Sequence, residues 1–418
     1  SMFYRKNYMY PDMAKNFQTT QGPIAFCMRG HLDLDVDGRG ATERYRLDAL
    51  APGETEDNIT RTEDGYVAHV GITRIHMEED AGKMVQLGGG EGRIAGATQS
   101  LVDYNRAGTP LIELVTEPDL RTPEEARLFM QKLRQIYLAL GISDCSMEEG
   151  SMRCDGNVSL RRRGAKEFGV KTELKNMNSF KNLHDGLAYE ICRQAEVLEE
   201  GGQIFQETRH WDPSAKRTIV MRVKETADDY RLFPDPDLAP YDLTDEWIDS
   251  VRAKLPELPD QKAARFEDAF GLSAYDARHL VEHRATADFF EACMELAGAD
   301  AAKLAKPVAN LVINDVTAYL NAHEGVQLAD TPLTPARALA LVRLTAEDAI
   351  SSKQAKEVFA AVLDEDKDPA AIVEERGMKQ VSDTGAIEAV VDAVLAANPD
   401  KVAQYQGGKT GLIGFFVG

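Results

Sequence analysis

The alternation of apolar and polar positions divides the chain into a strand-rich first half and a helical second half. Between residues 123 and 140, Ala126, Phe129, Met130, Leu133, Ile136, Tyr137 and Leu140 recur at helical spacing and form one stripe. Thr122 is a good N-cap, Pro123 fits the first helical position, Glu125 completes a capping box, and Gly141 ends the helix. A second helix runs through "SFKNLHDGLAYEICRQAEVLEEGG". Leu183, Leu187, Ile191, Ala195 and Leu198 face inward, and Gly201 and Gly202 stop it. Elsewhere the period is two. Met152, Cys154, Val158 and Leu160 oppose Arg153, Asp155, Asn157 and Ser159. Val170, Thr172 and Leu174 oppose Lys171, Glu173 and Lys175, and Ile219, Met221 and Val223 oppose Val220, Arg222 and Lys224. This predicts an antiparallel sheet with one apolar and one polar face. From Asp245 strand patterns vanish and alanine-rich amphipathic helices take over, with a softer break at "LADTPLTPAR". The expected fold class is α+β. A mixed α/β domain spans 1–242, a helical domain 243–329 and a small helical tail 330–418.

Composition narrows the function classes. The 418 residues carry 48 basic and 69 acidic side chains, a net charge of −21, which argues against wholesale electrostatic binding to a polyanion. A nucleic-acid partner would have to meet local basic patches. The five cysteines are scattered with no C-x-x-C pair, so neither a zinc knuckle nor a disulfide framework is indicated, and reduced thiols fit a cytoplasmic protein. No apolar run reaches the length of a membrane span and no signal-peptide pattern opens the chain. The opening "SMFYRKNYMYPDM" reads as the middle of a folded segment and "GLIGFFVG" stops on an apolar run, so residues are expected beyond both ends.

Several stretches could carry chemistry. "RIHMEEDAGK" offers Glu78, Glu79 and Asp80 as hard oxygen ligands for Mg²⁺, with Lys83 able to meet a phosphate. The alternative is a strand end running into a solvated acidic turn. Strand alternation puts His76 and Glu78 on one face and Glu79 on the other unless a bulge intervenes. In "SLVDYNRAGTPLIELVTEPD", Asp103, Asn105 and Arg106 precede a turn, and Glu113 lies within the apolar run Leu111, Ile112, Leu114, Val115. A glutamate in a buried strand is costly unless paired or metal-bound; the other reading is a strand alternating outward to water. Arg153, Asp155, Asn157, Glu173, Lys175, Asn176 and Asn178 form a mixed donor and acceptor set suited to a nucleotide or polar substrate, or to the polar surface of an open sheet. Arg222, Lys224 and Arg231 could contact phosphates, or belong to a linker. There is no P-loop, no G-x-G-x-x-G after a strand, no G-x-S-x-G and no kinase signature; "LGGGEG" reads as a flexible loop.

These blocks, in this order, closely resemble the B subunit of the tRNA-dependent Asp/Glu amidotransferase, the GatB family. The matching words are "RKNYMYPDM", "HMEEDAGK", "SLVDYNRAGTPLIELVTEPD", "RTPEEAR", "MEEGSMRCDGNVS", "ELKNMNSF", "QETRHWD", "YRLFPDPDL" and "LPELP", covering most of residues 4–260. The resemblance implies a cradle-like mixed domain, a helical domain and a tRNA-binding tail similar to the YqeY family. It implies a reaction in which ATP and Mg²⁺ phosphorylate the Glu or Asp carried by mischarged tRNA(Gln) or tRNA(Asn). Ammonia from glutamine, hydrolysed in a partner A subunit, then displaces the phosphate, and a C subunit ties the other two together. Glu79 and Glu113 would help hold Mg²⁺, with Glu78 nearby, and Lys6 would sit near the mouth of the ammonia tunnel. The strands bearing Arg153 to Asn157 and Glu173 to Asn176 would line the nucleotide and acceptor-end pocket. The family's upstream G-x-E-x-H strand, which completes the metal site, and its cysteine-bound zinc are not in this sequence, and residues 37–65 depart from the shorter common pattern.

Two functions follow: an ATP-dependent amidotransferase component, or a non-catalytic scaffold that holds tRNA. Glu113 discriminates between them, since a scaffold has no reason to place a glutamate inside "PLIELV".

Overall fold

A fifteen-residue strand, β6 (Gly65–Glu79), organises the first part of the molecule. In the computed structural model, which describes residues 1–418 apart from 8, 45–46, 89–96, 224–230, 324, 380–383 and 418, the chain divides into two units, Ser1–Pro256 and Glu257–Gly418. The first contains β1 (Met2–Asn7), β2 (Phe17–Gly22), β3 (Cys27–Asp37), β4 (Thr55–Glu56) and β5 (Ile59–Arg61) before β6. After it come β7 (Lys83–Leu87), β8 (Gln99–Asp103), β9 (Pro110–Thr116), β10 (Gly156–Val158), β11 (Thr172–Lys175), β12 (Glu207–Asp212), β13 (Arg217–Val223) and β14 (Phe233–Pro234).

Eight of these strands form one sheet around β6. β3 runs antiparallel along one edge of β6 from Gly65 to Ile75, and Thr20 of β2 pairs with Glu78 further along that edge. β5 and then β9 occupy the other edge. The start of β6 admits only glycine, because a Cβ on Gly65 would lie 2.0 Å from the carbonyl oxygen of Val36. β7 and β8 form a separate ribbon.

β10, β11, β12 and β13 make a four-stranded sheet. It is antiparallel except between β11 and β12, which are parallel. The all-antiparallel expectation fails there because the Phe180–Glu199 helix supplies the crossover that a parallel pair needs. β13 also carries a register shift, with Arg209 facing Val220 and Thr208 facing Arg222, so its apolar residues do not share one face. Met221 and Val220 are exposed, as is Val170, which precedes the first residue of β11.

The Pro123–Leu140 helix begins and ends as its sequence dictates. Thr122 accepts from the Glu125 amide, and Gly141 takes the left-handed conformation at φ 67°. The capping box does not close. Glu125 is fully buried; it accepts from the Arg121 amide at 2.6 Å, the Tyr66 hydroxyl at 2.8 Å and Arg44 Nη1 at 2.9 Å. In the second helix the inward face drifts: Leu183 and Leu187 are buried, but further along Glu190 and Gln194 take the buried positions and Leu198 is exposed. One core joins both sheets through these helices. It contains Leu34 and Val70 of the large sheet, Phe129 and Leu133, Leu183 and Leu187, and Leu174 and Trp211 of the small sheet.

The second unit is helical among its described residues, from Pro259–Phe270 onward. Phe266 and Phe290 are fully buried with ring centroids 4.9 Å apart. Their core continues through Val308, Leu341 and Val358 to Val373, crossing the expected boundary at 329/330, so residues on both sides of that boundary share one interior. No helix among the described residues is long and apolar enough to cross a membrane.

Candidate functional site

Strand register builds a compact polar cluster at the end of β6. His76 lies directly opposite Glu113 of β9, and alternation places Glu78 on the same face as His76. The His76 Nε2 atom is 3.3 Å from Glu78 Oε1 and 3.4 Å from Glu113 Oε2. One ligating atom from each of the three residues falls within 4.8 Å of the others, the one such group of acidic, histidine or cysteine side chains among the described residues. Around it, Lys6 Nζ sits 3.8 Å from Glu78 Oε1, and Gln18 Nε2 donates to Glu78 Oε2 at 3.0 Å and to the Glu79 carbonyl at 2.6 Å. Arg74 Nε donates to His76 Nδ1 at 3.3 Å. His76 and Glu78 are buried, whereas the Glu113 side chain is 52% exposed.

That exposure corrects one expectation. Glu113 is not interred in an apolar strand; Ile112 beside it is also exposed, and no residue of β9 is fully buried. What sets Glu113 apart is its neighbours. The hydrogen bond with His76 holds its carboxyl below the usual range, against the effect of burial, and the charges of His76, Lys6 and Arg74 add to this. The same contacts, to Glu113 first and Glu78 second, draw the imidazole up to about 9.

Glu79, expected as a metal ligand, does not join the cluster. The β6–β9 register runs without interruption from Arg74 to Glu79, so no bulge turns its side chain inward. It meets Lys15 Nζ at 2.5 Å and the Thr19 amide at 3.1 Å instead. Burial pushes its carboxyl up, and Lys15 and Thr19 outweigh this to leave it lowered. Asp80 is buried in the turn that follows, 2.9 Å from Arg153 Nη2 and 3.3 Å from Arg106 Nε. Arg106 also donates to the carbonyls of Ala81 and Gly82, so it ties down this turn. Lys83 and Asp103 face each other across the β7–β8 ribbon, both exposed, and Asp103 accepts from the amide and side chain of Asn105.

A second polar surface lies on the small sheet. Lys175 bonds Asp155 at 2.6 Å and approaches Glu173 at 3.7 Å, while Glu173 accepts from the Thr208 hydroxyl at 2.8 Å. Burial lowers the Lys175 pKa, but Asp155 and then Glu173 leave it raised overall. Asn157 pairs with Glu173 in register and is exposed. Asn176, at φ 67°, takes the left-handed conformation and anchors its side chain on the Trp211 carbonyl at 3.0 Å. The Arg231 carbonyl accepts from Asn7 Nδ2 at 2.9 Å. Lys224 and the side chain of Arg222 lie outside the described residues.

Sequence reasoning misses Arg74 and Gln18 and ranks His76 below Glu79. Alternation along "TRIHME" already groups Arg74, His76 and Glu78 on one face. Gln18 is brought in by strand pairing across 60 residues of chain and leaves no local signal.

Hard carboxylate oxygens beside a lysine and an arginine suit a divalent cation and an anionic group next to it. Residues 1–249 match the GatB/GatE catalytic domain and residues 288–418 match the GatB domain. The chain is 48% identical to the B subunit of the aspartyl/glutamyl-tRNA(Asn/Gln) amidotransferase of Carboxydothermus hydrogenoformans, over all of this chain and 79% of that protein. It is 46% identical to the protein of the same name from Picosynechococcus, over all of this chain and 79% of the relative. For the Geobacter protein of that name the figure is 47%, over all of this chain and 80% of the relative. With both family domains matched and nearly half its residues shared along its whole length, the chain belongs to the GatB family.

Proposed function

We propose that the chain is the B subunit of a glutamine-dependent aminoacyl-tRNA amidotransferase, and that the His76–Glu78–Glu113 cluster is part of its activating centre. The substrate is Glu or Asp esterified to a mischarged tRNA. Its side-chain carboxylate is a poor acyl donor, because a departing oxide is a poor leaving group. Phosphorylation by ATP makes it an acyl phosphate. Ammonia then attacks the acyl carbon, phosphate leaves with the C–O bond electrons, and a proton lost from nitrogen completes the amide. Partner proteins corresponding to the family's A and C components supply the ammonia and hold the assembly together.

The residues support particular roles. Glu78 and Glu113 would hold a Mg²⁺ ion, which when bound neutralises charge on the transferred phosphoryl group. Gln18 fixes one oxygen of Glu78, and Lys6 places a positive charge beside the other. Arg74 adds a second, permanent cation next to the cluster. The Asp155–Lys175–Glu173 set on the small sheet offers both donors and acceptors to a nucleotide or to the tRNA acceptor end.

The observation that carries this reading is Glu113 paired with His76 within 4.8 Å of Glu78 in a chain of this family. The scaffold alternative needs no such grouping. In the assembled complex, Glu113→Gln should abolish phosphorylation of the mischarged aminoacyl-tRNA while tRNA affinity stays within about twofold; loss of one preorganised charge costs about 3–4 kcal/mol of transition-state stabilisation. Phosphorylation at the wild-type rate would favour the scaffold.

A further inference from the structure

We infer that the hairpin of residues 161–171, between β10 and β11, is a docking surface for RNA phosphates and grips the aminoacylated arm of the tRNA. This rests on the proposed reading that the substrate is an aminoacyl-tRNA. The stretch "RRRGAKEFGVK" carries five cations, Arg161, Arg162, Arg163, Lys166 and Lys171, and one acid, Glu167. Every residue of it is exposed. In a chain of net charge −21, most of the surface repels a polyanion, which must land where cations outnumber carboxylates.

The charges of this hairpin are not spent inside the molecule. Nearby Arg153, Lys175, Arg193 and Arg209 each lie 2.5–2.9 Å from a carboxylate oxygen. Arg162, Lys166 and Lys171 have no carboxylate partner among the described residues. Arg161 holds its guanidinium 4.6 Å over the exposed Phe168 ring and donates from Nη1 to the Lys166 carbonyl at 3.0 Å. Another cation stands near it: burial lowers the Arg121 guanidinium, and the charges of Arg44 and Arg161 lower it further. The hairpin is also fixed in place. The Ala165 amide donates to the Arg162 carbonyl at 3.0 Å across the turn. A Cβ on Gly169 would lie 2.0 Å from the Leu160 carbonyl oxygen, so the returning chain runs in close contact with the outgoing one. A preformed cationic surface loses less ordering entropy on binding than a flexible tail.

Position selects the partner. Lys171 precedes the buried Thr172, and alternation puts it on the face of Glu173 and Lys175, so it extends the polar surface of the small sheet. On the other side of the hairpin, Arg153 reaches Asp80 in the turn after β6 at 2.9 Å. The chain from Arg153 to Arg161 spans at most about 29 Å, the length of on the order of ten stacked base pairs. An amino acid held at the end of β6 would bring the phosphates of its own RNA stem alongside the hairpin. A lipid headgroup or an acidic protein matches the charge but has no reason to lie within one stem's length of that cluster.

The test uses the complex assembled with its partners. Binding of uncharged tRNA(Gln), and of a minihelix of its acceptor arm, is followed by fluorescence anisotropy between about 50 and 300 mM KCl. The triple variant Arg162→Gln, Lys166→Gln, Lys171→Gln should flatten the slope of log affinity against log salt by about three for both RNAs, one for each lost phosphate contact. KM for the aminoacyl-tRNA should rise at least about tenfold while kcat at saturating tRNA stays within about twofold. The charge-keeping triple Arg162→Lys, Lys166→Arg, Lys171→Arg should retain the wild-type slope. An unchanged slope in the glutamine triple overturns the proposal. So does a slope flattened for full tRNA alone, which moves the contact off the acceptor arm, or loss of assembly, which assigns the hairpin to a partner protein. Binding to phosphatidylglycerol vesicles that the glutamine triple loses, with its tRNA slope intact, overturns it in favour of a lipid surface. If the wild type forms no amide, the amidotransferase reading falls and the salt slope still decides the hairpin.

Discussion

Replacing Glu125 by alanine should destabilise the first unit more than almost any other single change to a charged residue. Glu125 is fully buried, and its partner Arg44 keeps only 7% of its side chain exposed. The substitution leaves the guanidinium buried beside Asn58 and removes the acceptor for the Tyr66 hydroxyl and the Arg121 amide. Breaking a buried pair by removing one partner costs about 3–5 kcal/mol, most of it from the stranded charge. In a unit of this size each kcal/mol moves the melting temperature by roughly 2–4 °C, so a fall on the order of 6–20 °C is expected. Both tryptophans, Trp211 and Trp247, lie in this unit, so their fluorescence during heating or urea titration reads its unfolding without interference from the second unit. The double change Arg44→Met with Glu125→Leu removes both charges together and should recover most of the loss, because a buried pair replaced by apolar groups of similar volume is often near neutral. A loss below about 1 kcal/mol in Glu125→Ala, or a double variant no better than the single, would refute the reasoning.

Other consequences follow from the same contacts. Burial raises the Glu190 carboxyl, yet Arg193, Gln194 and Thr218 leave it lowered overall. A depressed carboxyl contributes stability above its unfolded value that is lost as pH falls through the folded one, so acid unfolding followed by tryptophan fluorescence should set in below about pH 4.5 and lose part of its pH dependence in Glu190→Gln. Because Glu79 points away from the cluster, Glu79→Gln should leave Mn²⁺ affinity within about threefold, while Glu78→Gln weakens it at least tenfold by titration calorimetry. In the second unit, Phe290→Ala should cost about 3–5 kcal/mol, and hydrogen exchange should show faster opening of helices on both sides of residue 329 because they share its core.

Sequence signals are legible where local forces decide. Thr122, Pro123 and Gly141 bound their helix as capping rules require, and alternation along β6 separates His76 and Glu78 from Glu79. Preferring Glu79 to Glu78 and His76 weighs the run of acids by resemblance rather than by face. What is not legible depends on partners distant in sequence. The fate of Glu125 is hidden because Tyr66 and Arg44 come from 59 and 81 residues away, and they turn a capping residue into a buried hub. The parallel β11–β12 pair is hidden because periodicity fixes which face a residue takes, not the direction of the neighbouring strand. Glu113 reads as buried because its neighbours are apolar, but β9 pairs along the edge of β6 and about half of the Glu113 side chain meets water. The shared core across residue 329 is masked by "TPLTP", whose prolines mark a turn between helices rather than the end of a hydrophobic interior.

The central claim is that the His76–Glu78–Glu113 cluster activates an aminoacyl carboxylate on tRNA. It is tested most directly by amide formation on mischarged Glu-tRNA(Gln) and Asp-tRNA(Asn), with the protein assembled with its partners and either glutamine or free ammonia as nitrogen donor. The wild type should give amide product with at least one of the two tRNAs, and Glu113→Gln should lose at least about a hundredfold with both nitrogen donors, since activation precedes ammonia attack. Undiminished amide formation by Glu113→Gln would contradict it.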